Sequence, residues 1–164
     1  DKLRRHLHDI LPSDGRHSFF FHLAQSTLQF RPPRGIFGNI QLEEVGASSA
    51  ALNSKAALIP LVNFARIYAL RYGLSETNTL DRLRGLRDRG LLLASSHNEL
   101  VQAYTTLMQM RLRHQAIQIG RGETPDNRIP LEELTQLDRS ILKNVFADIT
   151  VFQARLENDF ARTS

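Results

Sequence analysis

The chain has 164 residues, 41% of them hydrophobic, which suffices for one domain whose core needs no covalent staples. It contains no cysteine. This excludes disulfides, thiolate metal sites and a cysteine nucleophile, and it favours a reducing, cytoplasmic setting. No run approaches the roughly 18 apolar residues of a membrane span, and the N-terminus lacks the apolar core of a secretion signal. The sequence therefore predicts a soluble cytoplasmic protein with no membrane partner.

The net charge is +4, and 18 of the 21 basic residues are arginine. Arginine binds phosphates in a forked geometry, which would suit a nucleic-acid partner. Acidic residues are interspersed throughout, however, and no basic block forms, so the base composition of the encoding genome is the preferred explanation. An RNA-binding bundle is the least favoured functional hypothesis, and it predicts a continuous basic face and steep salt dependence of binding.

Helix signals dominate the chain, with one interruption. A short helix is predicted over residues 2–11, and a second over residues 18–30, each ending at a proline. Residues 31–54 break the pattern because glycines punctuate short apolar segments. We expect a short extended or hairpin insertion near residues 35–53, the one segment with β structure.

Helical periodicity returns at Ser54. The first helix after this point ends near Gly73, where a glycine suits a left-handed C-terminal cap. A short helix over residues 79–89 follows, capped by Asn78 or by its own first residue and closed by Gly90.

Two long helices are predicted in the C-terminal part. The first begins at the capping-box spacing of Ser96 to Glu99 and ends near Gly120, and residues 121–130 form a polar loop. The second, over residues 135–162, carries one apolar stripe: Ile141, Val145, Ile149, Phe152, Leu156 and Phe160. Each would span on the order of 40 Å. The predicted fold is an all-α antiparallel helical bundle, a single domain over residues 1–164.

One face of the first long helix is apolar except for its C-terminal half. At helical spacing it contains Leu100, Tyr104, Leu107, Arg111, His114 and Gln118. Arg111 therefore points toward the interior or a cleft, where a charge needs a partner. Two alternatives stay open: an ion pair with a buried carboxylate such as Asp148 or Asp81, or contact with an anionic ligand.

No catalytic constellation can be found in the sequence. The chain has no phosphate-binding P-loop. His6 and His8 are two apart and face different ways on a helix, so they are interpreted as surface residues. No nucleophile with its base can be identified, and His114 has no partner at ligand spacing on its own helix. The sequence nominates no catalytic and no metal-binding residue.

Eight motifs occur in an order and spacing typical of one family: Leu52-Asn-Ser-Lys55, Ile59-Pro60-Leu-Val, Ala65-Arg66, Thr77-Asn-Thr79 with Arg82-Leu83, Met110-Arg-Leu-Arg-His-Gln115, Pro125-Asp-Asn127, Leu142-Lys143 and Phe152-Gln153. On these motifs the chain resembles the nucleotidyltransferase substrate-binding domain of bacterial signalling proteins. The resemblance covers about residues 19–160. It is most specific over residues 77–82 and 111–115.

The resemblance implies a larger parent protein. In such proteins a nucleotidyltransferase domain related to the PII-protein uridylyltransferases precedes this domain, and CBS or cyclic-nucleotide-binding domains often lie further upstream. The catalytic domain would use a nucleoside triphosphate and Mg²⁺, held by a Gly-Ser motif followed by Asp-x-Asp or Asp-x-Glu. This chain contains neither motif. It is therefore not expected to be the catalytic half, and no cofactor is expected in it.

One position departs from the family pattern. The usual Leu-Asp-Leu-Lys reads Leu52-Asn53-Ser54-Lys55 here. A carboxylate role at that position is therefore in doubt, whereas Lys55 is retained.

A basic cleft that binds an anionic group or the acceptor substrate is the favoured functional site. It is expected to contain Lys55, Arg66, Arg82, Arg111, His114, Gln115 and Lys143. The reason is that Arg66 and Arg111 interrupt apolar faces, where charges need paired acceptors. A pocket lined by both of them and Arg82 would favour a substrate-binding or regulatory role, presenting an acceptor, such as a protein, to the upstream catalytic domain.

The alternative function is a helical interaction or dimerisation module that relays signals from sensor domains to the transferase. An exposed apolar patch of several hundred Å² would favour it, with a homodimer as one outcome.

Overall fold

The protein is described here from a computed structural model. The structure describes the backbone of residues 13–29, 43–45 and 49–161, and the side chains of residues 18–29 and 51–160. The helix predicted over residues 2–11 lies outside the described residues.

Five α-helices make up most of the described chain: α1 (Ser13–Leu28), α2 (Ser54–Arg71), α3 (Thr79–Asp88), α4 (Ala94–Gly120) and α5 (Gln136–Leu156). A single π-helical turn, Glu157–Ala161, continues α5. The all-α prediction is confirmed, including the two long C-terminal helices. Helix α1 begins earlier than the predicted residue 18 and ends two residues before residue 30.

A small antiparallel sheet lies beside the helices. Its strands are β1 (Glu43–Val45), β2 (Ser49–Asn53) and β3 (Arg128–Pro130), in the order β1-β2-β3. The β1–β2 hairpin is the predicted insertion, with Val45 opposite Ser49. Strand β3 corrects the prediction that residues 121–130 are all loop.

Strand β3 has one fully buried side chain. Ile129 is 2% exposed and pairs with Leu52, which is 0% exposed. One apolar residue between an arginine and a proline is not a strand signal in sequence, so only the pairing with β2 makes it a strand. A 3-10 turn, Leu131–Glu133, follows directly.

Side-chain caps set the start of three helices. Asn53 Oδ1 accepts a hydrogen bond from Ala56 N at 3.0 Å at the start of α2. Asn78 Oδ1 accepts from Leu80 N at 2.8 Å at the start of α3, as predicted. Thr135 and Asp138 form a reciprocal capping box at the start of α5.

The predicted capping box at Ser96 and Glu99 is wrong. Helix α4 begins at Ala94, two residues earlier, without a side-chain cap. His97 N donates to Leu93 O at 2.9 Å, so the first helical turn has already closed before Ser96 could cap it. The predicted glycine stops are confirmed, because Gly73 and Gly90 have φ of 65° and 69°.

Helix α2 is the centre of the core and contacts each of the other four helices. Ten of its 18 residues are buried: Ser54, Ala57, Leu58, Pro60, Leu61, Phe64, Ala65, Ile67, Tyr68 and Ala69. Helices α4 and α5 pack against it and against each other. Five of the six predicted stripe residues on α5 and its extension are buried, and Ile141 is partly buried, so that prediction is confirmed.

The end of α5 is held on α2 by an aromatic and polar contact. The Tyr68 hydroxyl donates to Asp159 Oδ2. The Arg155 guanidinium lies 5.4 Å from the centre of the Tyr68 ring. Burial, together with the Asp159 carboxylate, raises the pKa of Tyr68 far above its usual range. The phenol therefore stays a neutral donor at this junction.

Removal of the α5 cap should cost measurable stability. The Thr135 side chain accepts from Asp138 N at 3.0 Å and donates to Asp138 Oδ2 at 2.8 Å. Thr135→Ala is expected to lower the free energy of unfolding by about 1 kcal/mol, measured by urea denaturation. Gln136→Ala, an exposed neighbour, is the control and should stay within about 0.5 kcal/mol of the wild type. Equal losses in the two variants would contradict the capping role.

Candidate functional site

A cleft of about 510 Å³ lies between α2 and α4. Its lining comes from one face of each helix: Lys55, Leu58, Ile59, Val62, Asn63 and Arg66 on α2, and Tyr104, Met108 and Arg111 on α4. These residues recur at spacings of three or four, so the helical repeat brings them to the same side. The two helices therefore form a groove with an apolar floor and basic ends.

The cleft is unbalanced in charge. Among the described residues that line it, three are cationic and none is a carboxylate. Lys55 and Arg66 are exposed, whereas Arg111 is half-buried. The Nε atom of Arg111 is buried and has no hydrogen-bond partner in the described part of the chain. A buried donor without an acceptor is costly, so this guanidinium is suited to an external anion.

The ion-pair alternative for Arg111 is not found. Within residues 51–160, no hydrogen bond or ion pair joins Arg111 to a carboxylate. Asp81 is bonded instead to Arg84 at 2.9 Å. Burial raises the pKa of Asp148, an effect that an adjacent guanidinium would oppose.

The N-terminal end of α2 adds to the positive potential of the cleft. Lys55 lies in its first turn, which contains no acidic residue. Partial positive charge from the helix dipole is concentrated at the same end. Asn53, at the position where the resemblance leads us to expect an aspartate, caps this helix with a neutral amide. The first turn therefore has no nearby carboxylate from its cap.

His114 lies beside the cleft in a separate polar cluster. Its side chain is 4% exposed, with Nδ1 2.7 Å from Glu133 Oε2 and Nε2 3.0 Å from Asp126 Oδ1. Ionised carboxylates only accept hydrogen bonds, so both ring nitrogens must donate, which requires the imidazolium form. Burial lowers the pKa of His114, but the hydrogen bonds and charges of the two carboxylates raise it more, and the net pKa is above 6.5.

Asp126 connects the loop after α4 to that helix through several hydrogen bonds. Its Oδ1 accepts from Gln118 Nε2 at 3.2 Å and from Arg128 N at 2.9 Å. Asp126 N donates to Gln118 Oε1 at 2.9 Å, and Gln115 Nε2 donates to Asp126 O at 3.0 Å. Burial works against ionisation of Asp126, yet its hydrogen bonds and the charge of His114 hold its pKa below the usual value.

Two predicted site residues lie elsewhere. Arg82 is 8% exposed, and its Nε donates to Glu76 O at 2.9 Å. Lys143 is exposed on α5. Neither is among the residues that line the cleft with Arg66 and Arg111. The Arg82 side chain is instead directed to a backbone carbonyl of the turn before α3.

The structure thus divides the seven predicted residues into three groups. Lys55, Arg66 and Arg111 line the cleft, His114 and Gln115 belong to the adjacent cluster, and the remaining two lie apart. Their binding role stays a prediction.

Four polar residues of the site were missed by the sequence analysis. Asn63 and Tyr104 line the cleft. The sequence analysis placed Tyr104 on the face of Arg111 without assigning it to the site, and counting forward from Lys55 at helical spacing would have found Asn63. Asp126 and Glu133 flank His114 from 12 and 19 residues away. Asp126 belongs to a motif of the resemblance, but no local signal identifies either residue as a partner of His114.

Among the described side chains, no group of three or more His, Cys, Asp or Glu residues could hold a metal ion. Likewise, no helix in the described part of the chain is both long and apolar enough to cross a bilayer.

The His114 cluster should make stability depend on pH. Because the folded pKa of His114 is raised above 6.5, its stabilisation is complete below the unfolded pKa and is lost as pH rises through the folded pKa. Urea unfolding from about pH 6 to about pH 9 should show a falling free energy of unfolding for the wild type.

Two variants test this assignment. His114→Gln should be less stable at the acid end and show a flatter profile, because glutamine carries no titrating charge. His97→Gln, a buried histidine on the same helix, should retain the wild-type slope. A slope for His114→Gln equal to that of the wild type would contradict the assignment.

Comparison with known proteins identifies the family of the chain. The chain matches the family model described as "Putative nucleotidyltransferase substrate binding domain" over residues 17–160. Neither the curated proteins nor the solved structures include a significant match. The matched residues include both helices of the cleft and the whole His114 cluster. The chain belongs to the nucleotidyltransferase substrate binding domain family.

Proposed function

We propose that the cleft between α2 and α4 binds an anionic group of a substrate on behalf of a nucleotidyltransferase domain. The observation that carries this proposal is the half-buried Arg111, whose Nε has no partner in the described chain. Two more cations, Lys55 and Arg66, share the cleft with it. An anionic group such as a phosphate would supply the acceptor that Arg111 Nε lacks, and the positive charge of the other two cations would favour its binding.

The shape and chemistry of the cleft indicate the kind of ligand. Its volume of about 510 Å³ suits a small molecule or a few residues of a protein. Guanidinium groups bind phosphate and carboxylate through paired N–H donors. The floor contains Leu58, Ile59, Val62 and Met108, with Tyr104 at its side. The ligand we infer therefore joins an anionic group to an apolar or aromatic body.

The role is binding rather than catalysis. The nucleoside triphosphate and Mg²⁺ would be held by the catalytic domain, since this chain has no Gly-Ser and no Asp-x-Asp or Asp-x-Glu motif. On the family resemblance, we propose a bacterial signalling parent similar to PII-protein uridylyltransferases, with CBS or cyclic-nucleotide-binding sensors. In that parent the domain would present an acceptor, such as a protein, to the catalytic domain.

Substitution of Arg111 tests the proposal. Thermal shift and titration calorimetry with inorganic phosphate, pyrophosphate and phenyl phosphate, which joins an anion to an aromatic body, should show binding of at least one of them to the wild type. Arg111→Gln is expected to weaken that binding at least about tenfold, equivalent to about 1.4 kcal/mol. Its Tm without ligand should not fall, because the Nε donor has no internal partner to lose.

Arg121→Gln is the matched control. It removes the same charge at an exposed position ten residues further along, about 15 Å away on the helix axis. If both substitutions weakened ligand binding equally, the ligand would be attracted by the net positive charge of the domain and not by a specific contact with Arg111. A sharp drop in Tm for Arg111→Gln, with no ligand shift in the wild type, would show that Arg111 is structural.

A second candidate function, the interaction module, has one observation in its favour. Leu112, Ala116 and Ile119 form an exposed stripe on α4, with Leu112 57% and Ile119 64% exposed. Their spacing of four and then three residues places them on one face. We propose that this stripe would pack against a second copy of the chain.

Sedimentation velocity tests the second candidate. The wild type should dimerise, and the double variant Leu112→Gln/Ile119→Gln should be monomeric, because the apolar contact is lost. Val151→Gln changes an equally exposed apolar residue on α5, which is 65% exposed, and should leave the dimer intact. A wild type that stays monomeric at about 100 µM would reject an interface of useful strength.

A further inference from the structure

The His114 cluster connects the two walls of the cleft without lining it. His114 lies three residues beyond Arg111 on α4, so the two share one helical turn. On its other side, His114 holds Asp126, whose neighbour Asn127 accepts hydrogen bonds from Ser54 N at 2.8 Å and Ser54 Oγ at 3.0 Å.

Ser54 completes the connection to α2. It is 0% exposed and is the residue directly before Lys55. A continuous set of contacts therefore runs from His114 through Asp126 and Asn127 to the start of α2. The path joins the helix that carries Arg111 to the helix turn that carries Lys55.

The path uses the Nε2 contact of His114 with Asp126, and the Nδ1 contact with Glu133 lies beside it, so both contacts together need a proton on each ring nitrogen. A neutral imidazole has one N–H, so one ring nitrogen would direct a lone pair at a carboxylate oxygen. The two contacts are 2.7 Å to Glu133 and 3.0 Å to Asp126, distances at which two acceptors repel each other. Deprotonation would thus weaken the contact of α4 with the 3-10 turn or with the loop, where the hydrogen bonds of Gln115 and Gln118 to Asp126 would remain.

Charged groups from several elements surround His114, and its two bonded partners are the carboxylates of Glu133 and Asp126. Glu133 comes from the 3-10 turn and Asp126 from the loop. At the start of α5, Asp138 is engaged by the Arg113 guanidinium at 3.0 Å. Arg128 of β3 contributes its backbone N–H to Asp126. Of the cations that line the cleft, Arg111 precedes His114 by three residues on α4, and Lys55 directly follows Ser54 at the start of α2.

We infer that His114 is a positioning residue that sets the separation of Lys55 and Arg111, and that loss of its proton weakens anion binding in the cleft. This inference rests on the proposed function, because it concerns the affinity of the same site. It reassigns His114 from a ligand contact to a support behind the ligand site.

Two measurements on the same protein distinguish the contact path from His114 to Ser54 from anion binding in the cleft. The first is the amide-exchange protection factor of Ser54, measured by NMR without ligand, since Ser54 N–H donates to Asn127 O. The second is the affinity for inorganic sulfate, which keeps two negative charges across this pH range. Wild type, His114→Gln and the control His97→Gln are compared on either side of the His114 pKa.

We expect Ser54 protection and sulfate affinity to change together with pH. In the wild type and in His97→Gln, Ser54 protection and sulfate affinity should both fall on passing above the His114 pKa, the affinity by roughly tenfold. In His114→Gln, both should be low and independent of pH. A purely structural role would lower Tm but would not produce this shared pH profile.

Three outcomes would overturn the inference. Unchanged Ser54 protection in His114→Gln would show that the path is not connected. A response of Ser54 without a change in sulfate affinity would show that the path does not position the cleft. If the protein bound sulfate at no pH while Ser54 protection still changed with pH as expected, the anion site itself would be rejected. This result differs from a failure of the path, in which Ser54 protection would not change.

Discussion

Burial of α2 against the other four described helices is the constraint on which the rest of the structure depends. Leu61 and Ile67 are almost inaccessible to solvent, and with their buried neighbours they hold α2 in the core. The remaining face of the same helix, from Lys55 to Arg66, lines the cleft. A periodicity of 3.6 residues thus divides one helix between core and site. Anything that rotates α2 would disturb both together.

Helix α4 carries two cations in opposite electrostatic situations, one turn apart. His114 is nearly buried and lies between two carboxylates. Arg111 is half-buried, and its Nε has no partner in the described chain. The first arrangement satisfies its charge internally and stabilises the fold. The second leaves a donor unsatisfied, which lowers stability and is typical of a surface kept for a ligand.

The cleft and the cluster also differ in what holds them. The cleft walls are helices whose positions follow from apolar packing, a non-directional force. The cluster is a set of directional hydrogen bonds centred on His114 and Asp126. Packing therefore sets where Arg111 and Lys55 lie in broad terms, and the hydrogen bonds through Asn127 and Ser54 refine their separation.

The sequence by itself determined the helical class, the extent of α2 and α3, the stripe of α5 and the placement of Arg111 on a mostly apolar face. These features arise from local caps, glycines and side-chain periodicity, which act within a few residues. Only the tertiary structure decided the pairing of Ile129 with Leu52, the turn contact of Arg82 and the carboxylates around His114. Apart from the Arg82 contact, which spans six residues, these contacts join residues 12 or more apart in the chain. The neighbouring contact of Ser54 with Asn127 spans 73 residues, and no local pattern encodes such a meeting.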